Sequence, residues 1–247
     1  MTLRPLLAYL PWQARDMAVR GLAPLAIMLV VGGIPAFAFL RGQDVVDFAN
    51  NTQQADFVRT VYQSVATLAI TLGSFLIMTS SIALDRDKQH VRFFFSHQVS
   101  PVGYYLQRFA VGMVIFLSLF ALVPGSIELF MTDVNFLGSL AAFAIPLILV
   151  GGLTVLAASL TNRDGLALIL SFIIIRTLQQ LSAQDLLKEW MKPVVRGLPP
   201  IETMTQLSRA LVEGNALQAT DVVHVVGYGL GMLAAGLFVM RRSPLVR

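Results

Sequence analysis

Over the chain of 247 residues, 56% are hydrophobic and only 13% carry a charged side chain, with mean hydropathy +0.72. A soluble domain of this size carries about 25% charged residues, so the bilayer is the solvent here, and a water-soluble enzyme or a disordered acidic or basic tail is excluded. There is no cysteine, hence no thiolate metal site and no redox clue. A pI near 9.8 fits a nucleic-acid binder on charge alone, but Lys and Arg sit in short loops beside apolar runs, the pattern of a membrane topology signal.

The chain begins with Leu3, Leu6, Leu7, Leu10, Ala14, Met17 and Gly21 at helical spacing, with Arg4, Gln13, Asp16 and Arg20 off that stripe. This predicts an amphipathic helix over residues 1–21 that lies in the membrane interface, bent at Pro11. Leu22–Gly33 followed by Ala36-Phe37-Ala38 has the outline of a signal peptide, but the polar region before it is long for one.

Spans are predicted at about 22–40, 61–84, 106–130, 136–160, 165–182 and 221–240. Roughly 20 apolar residues cross the hydrocarbon layer, and continuous rather than alternating runs mean helices, not a barrel. The fold class is therefore an all-α polytopic membrane protein of six transmembrane helices in one domain, residues 1–247. Six spans put both termini on one side. Of the 18 Lys and Arg, eleven fall on that side, six on the other, and Arg176 falls within a span. The bias places both termini in the cytoplasm.

Along the second span, Ser64, Thr67, Thr71, Ser74 and Ser81 share one helix face, which fits close packing between helices or the lining of a path. The segment after it reads Asp85-Arg86-Asp87, then Val91-Arg92-Phe93-Phe94-Phe95, Ser100-Pro101 and Arg108: a charged cluster, a short amphipathic stretch with a triple Phe, and a turn. In the fifth span Arg176 follows three isoleucines, about 18 Å along the helix from Asp164. A charge at that depth should face protein or water rather than lipid, and Glu128, near the end of the third span, is the expected partner. Residues 183–220 form a long helical loop on the far side, with a Pro199-Pro200 break and a helix over Glu202–Val212 ended by Gly214. The last span carries Gly227, Gly231 and Ala235 four apart, read as its close-packing face, and ends at Arg241-Arg242.

Catalytic signatures are missing. His90, His97 and His224 form no metalloprotease pair, no nucleophile elbow is present, and no phosphate-binding loop Gly-x-x-x-x-Gly-Lys-[Ser/Thr] occurs. The chain reads as no enzyme by itself, binding neither cofactor nor metal.

At Asp85-Arg86-Asp87, Val91–Phe95 and Ser100-Pro101 the sequence resembles the membrane (permease) subunits of type-2 ABC (ATP-binding cassette) exporters. Leu198-Pro199-Pro200, the stretch from Arg209 to Gly214, and Arg241-Arg242 resemble the same family's C-terminal half. It departs from the family pattern at Gln89-His90-Val91-Arg92, where a Gly-Thr is usual. The resemblance implies a cytoplasmic coupling helix within residues 85–105, with Asp85, Arg86, Asp87, Phe93, Phe94, Phe95 and Pro101 docking a separate ATPase subunit that carries the ATP and Mg. It also implies a second permease subunit, identical or related, and a substrate path near their interface, for which Ser64, Thr67, Thr71, Ser74, Arg176 and Glu128 are the candidates from the reading of the spans. The expected location is the cell (inner or plasma) membrane, with no nucleic-acid partner. The alternatives are a haem-exporter-type subunit of cytochrome c maturation, a non-transporting membrane scaffold or assembly protein, and an intramembrane enzyme.

Overall fold

The computed structural model describes residues 7–22, 25–26, 100–130, 135–161 and 164–242. The expected spans at about 22–40 and 61–84 lie outside these beyond residue 26. So do the hydroxyl row Ser64, Thr67, Thr71 and Ser74, and the loop residues Asp85, Arg86, Asp87, Phe93, Phe94 and Phe95.

The described residues are helical, without strands. Helix α1 covers residues 7–22, interrupted by a turn at Tyr9, two residues before Pro11, whose missing N–H breaks the hydrogen-bond ladder at that point. Helix α2 is Pro101–Phe130. Its start is built as the residue types require: Ser100 stands at the N-cap, its hydroxyl 3.4 Å from the Gly103 N–H, and Pro101 occupies the first helical position, where no N–H is needed. Helix α3 is Phe136–Leu160, capped by the Asn135 side chain, which accepts from the Gly138 N–H at 2.9 Å. Helix α4 is Asp164–Ala183, α5 Met191–Arg196, α6 Ile201–Glu213 and α7 Ala219–Arg242.

By length and composition α2, α3 and α7 are each able to cross a membrane, whereas the apolar part of α4, Leu168–Ala183, is shorter. The described chain is thus a helical membrane protein. The differences among the three long helices follow from their surroundings. In α3, 61% of the membrane-length window is buried, against 22% in α2 and in α7. Neighbouring pairs such as Pro146 and Leu147, Leu149 and Val150, and Gly151 and Gly152 are all buried, so α3 is the most enclosed of the three, with a half-buried row at Leu140, Ala144 and Ile148 and exposed leucines at its ends. α7, α6, α2 and α4 surround it.

Helix α7 runs parallel to α3. Gly229 lies against Ile148 and Leu149, and Gly236 against Val155 and Leu156. A Cβ at Gly229 would stand 2.8 Å from the Ile148 carbonyl oxygen, and one at Gly152 would run into the Gly229 carbonyl. Backbone meets backbone along this seam, which only glycine allows. The face of α7 turned inward is Val225, Gly229, Leu233, Gly236 and Met240. This corrects the expected close-packing face: a Cβ added at Gly227 or Gly231 would meet nothing within 4 Å, and Ala235 is exposed. The partner's own glycine, Gly152, selects the register, and it meets Gly229 rather than the more regular row beside it.

The chain directions give the molecule two distinct ends. At one end the starts of α1 and α2 meet the ends of α3 and α7, where Tyr104, Tyr105, Ala158 and Met240 pack together with Tyr9. At the other end, α5 and α6 form a cap over the end of α4 and the starts of α3 and α7. Asn135 donates to the Leu211 carbonyl at 3.1 Å. Gln179 donates to the Pro199 carbonyl at 2.8 Å and accepts from the Glu202 N–H at 3.2 Å. Tyr228 donates to the Gly197 carbonyl at 3.0 Å. Within the cap, Gly214 closes α6 in the left-handed region at φ 76°, a conformation suited to glycine at that position.

Candidate functional site

The densest polar arrangement lies at the first of these ends, where α1 crosses the start of α2. The side chain of Arg108 is 3% exposed, and its Nη2 stands 2.6 Å from Asp16 Oδ2. Its Nη1 lies 3.2 Å from the Tyr104 hydroxyl, one helical turn back. Arg20 reaches the same Asp16 oxygen at 3.2 Å from one turn along α1. The Arg108 guanidinium also sits 5.5 Å from the Trp12 ring centroid, within range of a cation–π attraction. Two edge-on tyrosine contacts, Tyr9 to Tyr104 at 6.2 Å and Tyr104 to Tyr105 at 5.1 Å, wall the cluster.

An Arg two turns into an apolar helix has to be compensated, because removing a charge from water costs several kcal/mol. Asp16 supplies that compensation, and Arg20 balances Asp16. Gln13 is fully buried on the same face of α1. Neither its amide nor that of Gln107 has a hydrogen-bond partner among the described residues. The orientation of α1 follows: its polar side turns toward α2, while Leu7 and Leu10 are 58% and 41% exposed. Met17, from the apolar stripe, is buried and joins the cluster of Phe116, Phe120 and Phe143. The expected separation of a polar face from the apolar stripe does not hold on this side: Gln13 and Met17, one turn apart, are buried together, and Asp16 docks the helix on α2.

Among the other expected site residues, Pro101 is the first residue of α2. Glu128 and Arg176 are described and both are exposed. No ion pair joins them among the described residues, which corrects the expected partnership. The reason lies in the packing of α4, which turns Leu168, Phe172 and Ile175 inward. Arg176 follows Ile175 by one residue, so it points about 100° away from that stripe, beside the exposed Ile173 and Ile174. His224 is exposed and lies edge-on to Tyr228 at 6.4 Å.

Read from sequence alone, Arg108 counts as a loop-side topology charge, and its pairing with Asp16 goes unseen. The signal that marks it is an Arg at the eighth position of an apolar helix whose first residue is announced by Ser100-Pro101. No group of three or more His, Asp or Glu suited to hold a metal occurs among the described residues. The cluster can hold α1 against α2 and can pass a displacement from one to the other; it contains no nucleophile–base pair.

No protein-family model, curated protein or solved structure matches the chain.

Proposed function

We propose that this chain is the membrane-spanning subunit of an ATP-binding-cassette exporter. Two such subunits, identical or related, bind two separate ATPase subunits, which carry the ATP and Mg. The chain crosses the cell membrane six times with both termini in the cytoplasm. Residues 85–105 form the coupling loop, docked through Asp85, Arg86, Asp87, Phe93, Phe94, Phe95 and Pro101. Substrate passes near the subunit interface. The observation that carries this reading is the Asp16–Arg108 pair. It ties the N-terminal helix to the second turn of α2, immediately after that loop, so a push on the loop is delivered to two helices at once.

The test is co-purification with a candidate ATPase in mild detergent, followed by native mass measurement. Two copies of each subunit are expected. Phe94→Ala with Phe95→Ala should weaken docking about thirtyfold, the loss of an aromatic anchor of about 2 kcal/mol. A stable chain that never takes up an ATPase, with docking-loop variants behaving as wild type, sinks the proposal in favour of a membrane scaffold. Topology is checked separately: a single cysteine at Gln206, exposed on the cap, should react with an impermeant reagent from outside intact cells, and one at Gln89 should not.

A further inference from the structure

The cap end of the molecule holds a second arrangement that this transport reading does not use. One face of α4 carries Leu168, Ser171, Phe172, Ile175, Gln179 and Ser182, spaced as one helical stripe. Two cavities open along it. The first, about 230 Å³, is apolar and is lined by Leu153, Leu156, Leu168, Phe172, Ile175 and Ile201 among others. The second, about 500 Å³, is more open and has a mixed wall, with Gln179, Arg196, Glu202 and His224 set among Val195, Leu198 and others. Both border the first turn of α6, where Ile201 lines the apolar cavity and Glu202 the mixed one. From Leu168 to Ser182 the stripe is roughly 21 Å long at 1.5 Å per residue, about half the roughly 40–45 Å thickness of a bilayer with its headgroups.

The residues around the mixed cavity suit the membrane surface. Leu186, Trp190 and Val194 are 67%, 68% and 60% exposed and recur every fourth residue, as do Lys188, Lys192 and Arg196. The stretch mixes exposed apolar and aromatic side chains with charges of both signs, since Asp185 and Glu189 hold Lys192, and such a mixture suits a segment lying among lipid headgroups. Arg196 belongs both to this segment and to the cavity wall. Among the described residues, neither Arg196 nor Glu202 has an ion-pair partner, and Glu202 accepts only a neutral contact, from Gln206 at 3.2 Å.

We propose that the two cavities are the head and tail compartments of one binding site for an aminophospholipid, a zwitterionic lipid with a phosphate and a primary amine. The phosphate sits at Arg196, beside His224, where a planar guanidinium offers paired donors. The amine sits at Glu202. One acyl chain runs down the apolar groove between α3 and α4. The walls are held before any ligand arrives, because Gln179 and Tyr228 fix the cap to α4 and α7.

The test needs no ATPase, so it stands apart from the exporter reading. The full chain is reconstituted in nanodiscs of equal phosphatidylethanolamine and phosphatidylcholine, released, and its retained lipids are measured by native mass spectrometry. One phosphatidylethanolamine per chain is expected, about tenfold over phosphatidylcholine, the effect of one charge-assisted contact. Arg196→Gln should cut retention of both lipids about tenfold. Glu202→Gln should abolish the preference and leave a lipid bound. Both side chains lie at the surface of the cap, and circular dichroism checks that each variant folds. Retention that mirrors the disc composition, or that is unchanged in both variants, overturns the proposal. Soluble glycerophosphoethanolamine provides the last arm: displacement only at large excess supports a lipid site, and displacement at equimolar concentration overturns it in favour of a free phosphoamine.

Discussion

Asp16 and Arg108 stand 92 residues apart in sequence and 2.6 Å apart in space. The interaction is asymmetric. The Arg108 side chain is almost wholly enclosed, at 3% exposed, while Asp16 keeps 29% of its surface. Loss of the acid therefore takes a 2.6 Å contact from an enclosed cation, whereas loss of the cation leaves an acid that still faces Arg20 and solvent.

Asp16→Ala should accordingly destabilise the protein by about 1.5–3 kcal/mol, the usual worth of a hydrogen bond to a charged group. Arg108→Met should cost less, and the double variant should be more stable than Asp16→Ala alone. Arg108→Lys should restore only part, since an ammonium cannot serve Asp16 and Tyr104 together with the same fork. Thermal unfolding of the four proteins in detergent gives the coupling energy; a value near zero would show that α1 docks without this pair.

Along the seam between α3 and α7 the expectation concerns glycines. Gly229→Ala, which forces a methyl group to 2.8 Å from the Ile148 oxygen, should cost about 1–3 kcal/mol through backbone displacement. Gly231→Ala, on the same helix but facing open space, should be neutral or slightly stabilising, because alanine is the better helix former. Equal melting temperatures for the two variants would contradict this assignment of the buried face.

Arg176 and Glu128 should behave as strangers. Arg176→Leu and Glu128→Gln are expected to add within about 0.5 kcal/mol in stability, as for independent sites. A larger interaction energy in the double variant would mean that they meet in a state other than this one.

The cap carries a surface triad with a defined pH signature. Lys192 lies 2.6 Å from Asp185 and 2.7 Å from Glu189. Hydrogen bonding to Lys192, reinforced by its charge, holds both carboxyls below their ordinary values of 3.8 and 4.5. The bonds to Asp185 and Glu189 raise the Lys192 amine above 10.5. Depressed acids give stability that is present above their unfolded pKa and lost as pH falls through the folded one. The raised amine gives stability that is present below 10.5 and lost as pH rises beyond it. The difference in stability between wild type and Lys192→Met should therefore be flat from about pH 5 to 10 and shrink on either side. It should be small and weaken with salt, because the groups are exposed. A difference that peaks in acid would refute the assignment.

The element boundaries are legible in the sequence where polarity changes abruptly. Asn135 and Thr161 bracket a continuous apolar run, and α3 occupies the residues between them. The helix after Pro199-Pro200 is equally readable, with Gly214 ending it. Hydropathy places the start of α2 late, at 106 rather than Pro101, because Tyr104 and Tyr105 read as loop residues. The Ser100-Pro101 start is local, but the burial of these residues against α1 and α7 has no local trace. The row Gly227, Gly231 and Ala235 fails for a related reason: a face is chosen by its partner, and Gly152 lies 77 residues from Gly229. Depth alone argues for a buried Arg176, but which way a side chain points within a helix depends on the stripe its neighbours bury.

The backbone contact between α3 and α7 also fixes where this molecule is able to yield. Side chains accommodate a sliding helix by changing rotamer; Gly152, Gly229 and Gly236 have none to change. Two parallel helices meshed at that distance resist slippage and turn together as a strut. Flexure is then left to joints made of long side chains, and α1 on α2 is such a joint, spanned by an arginine, an aspartate and a ring of aromatics. Among the described residues, the meshed seam of α3 and α7 is the stiff element, and the α1–α2 joint is the one bridged by side chains.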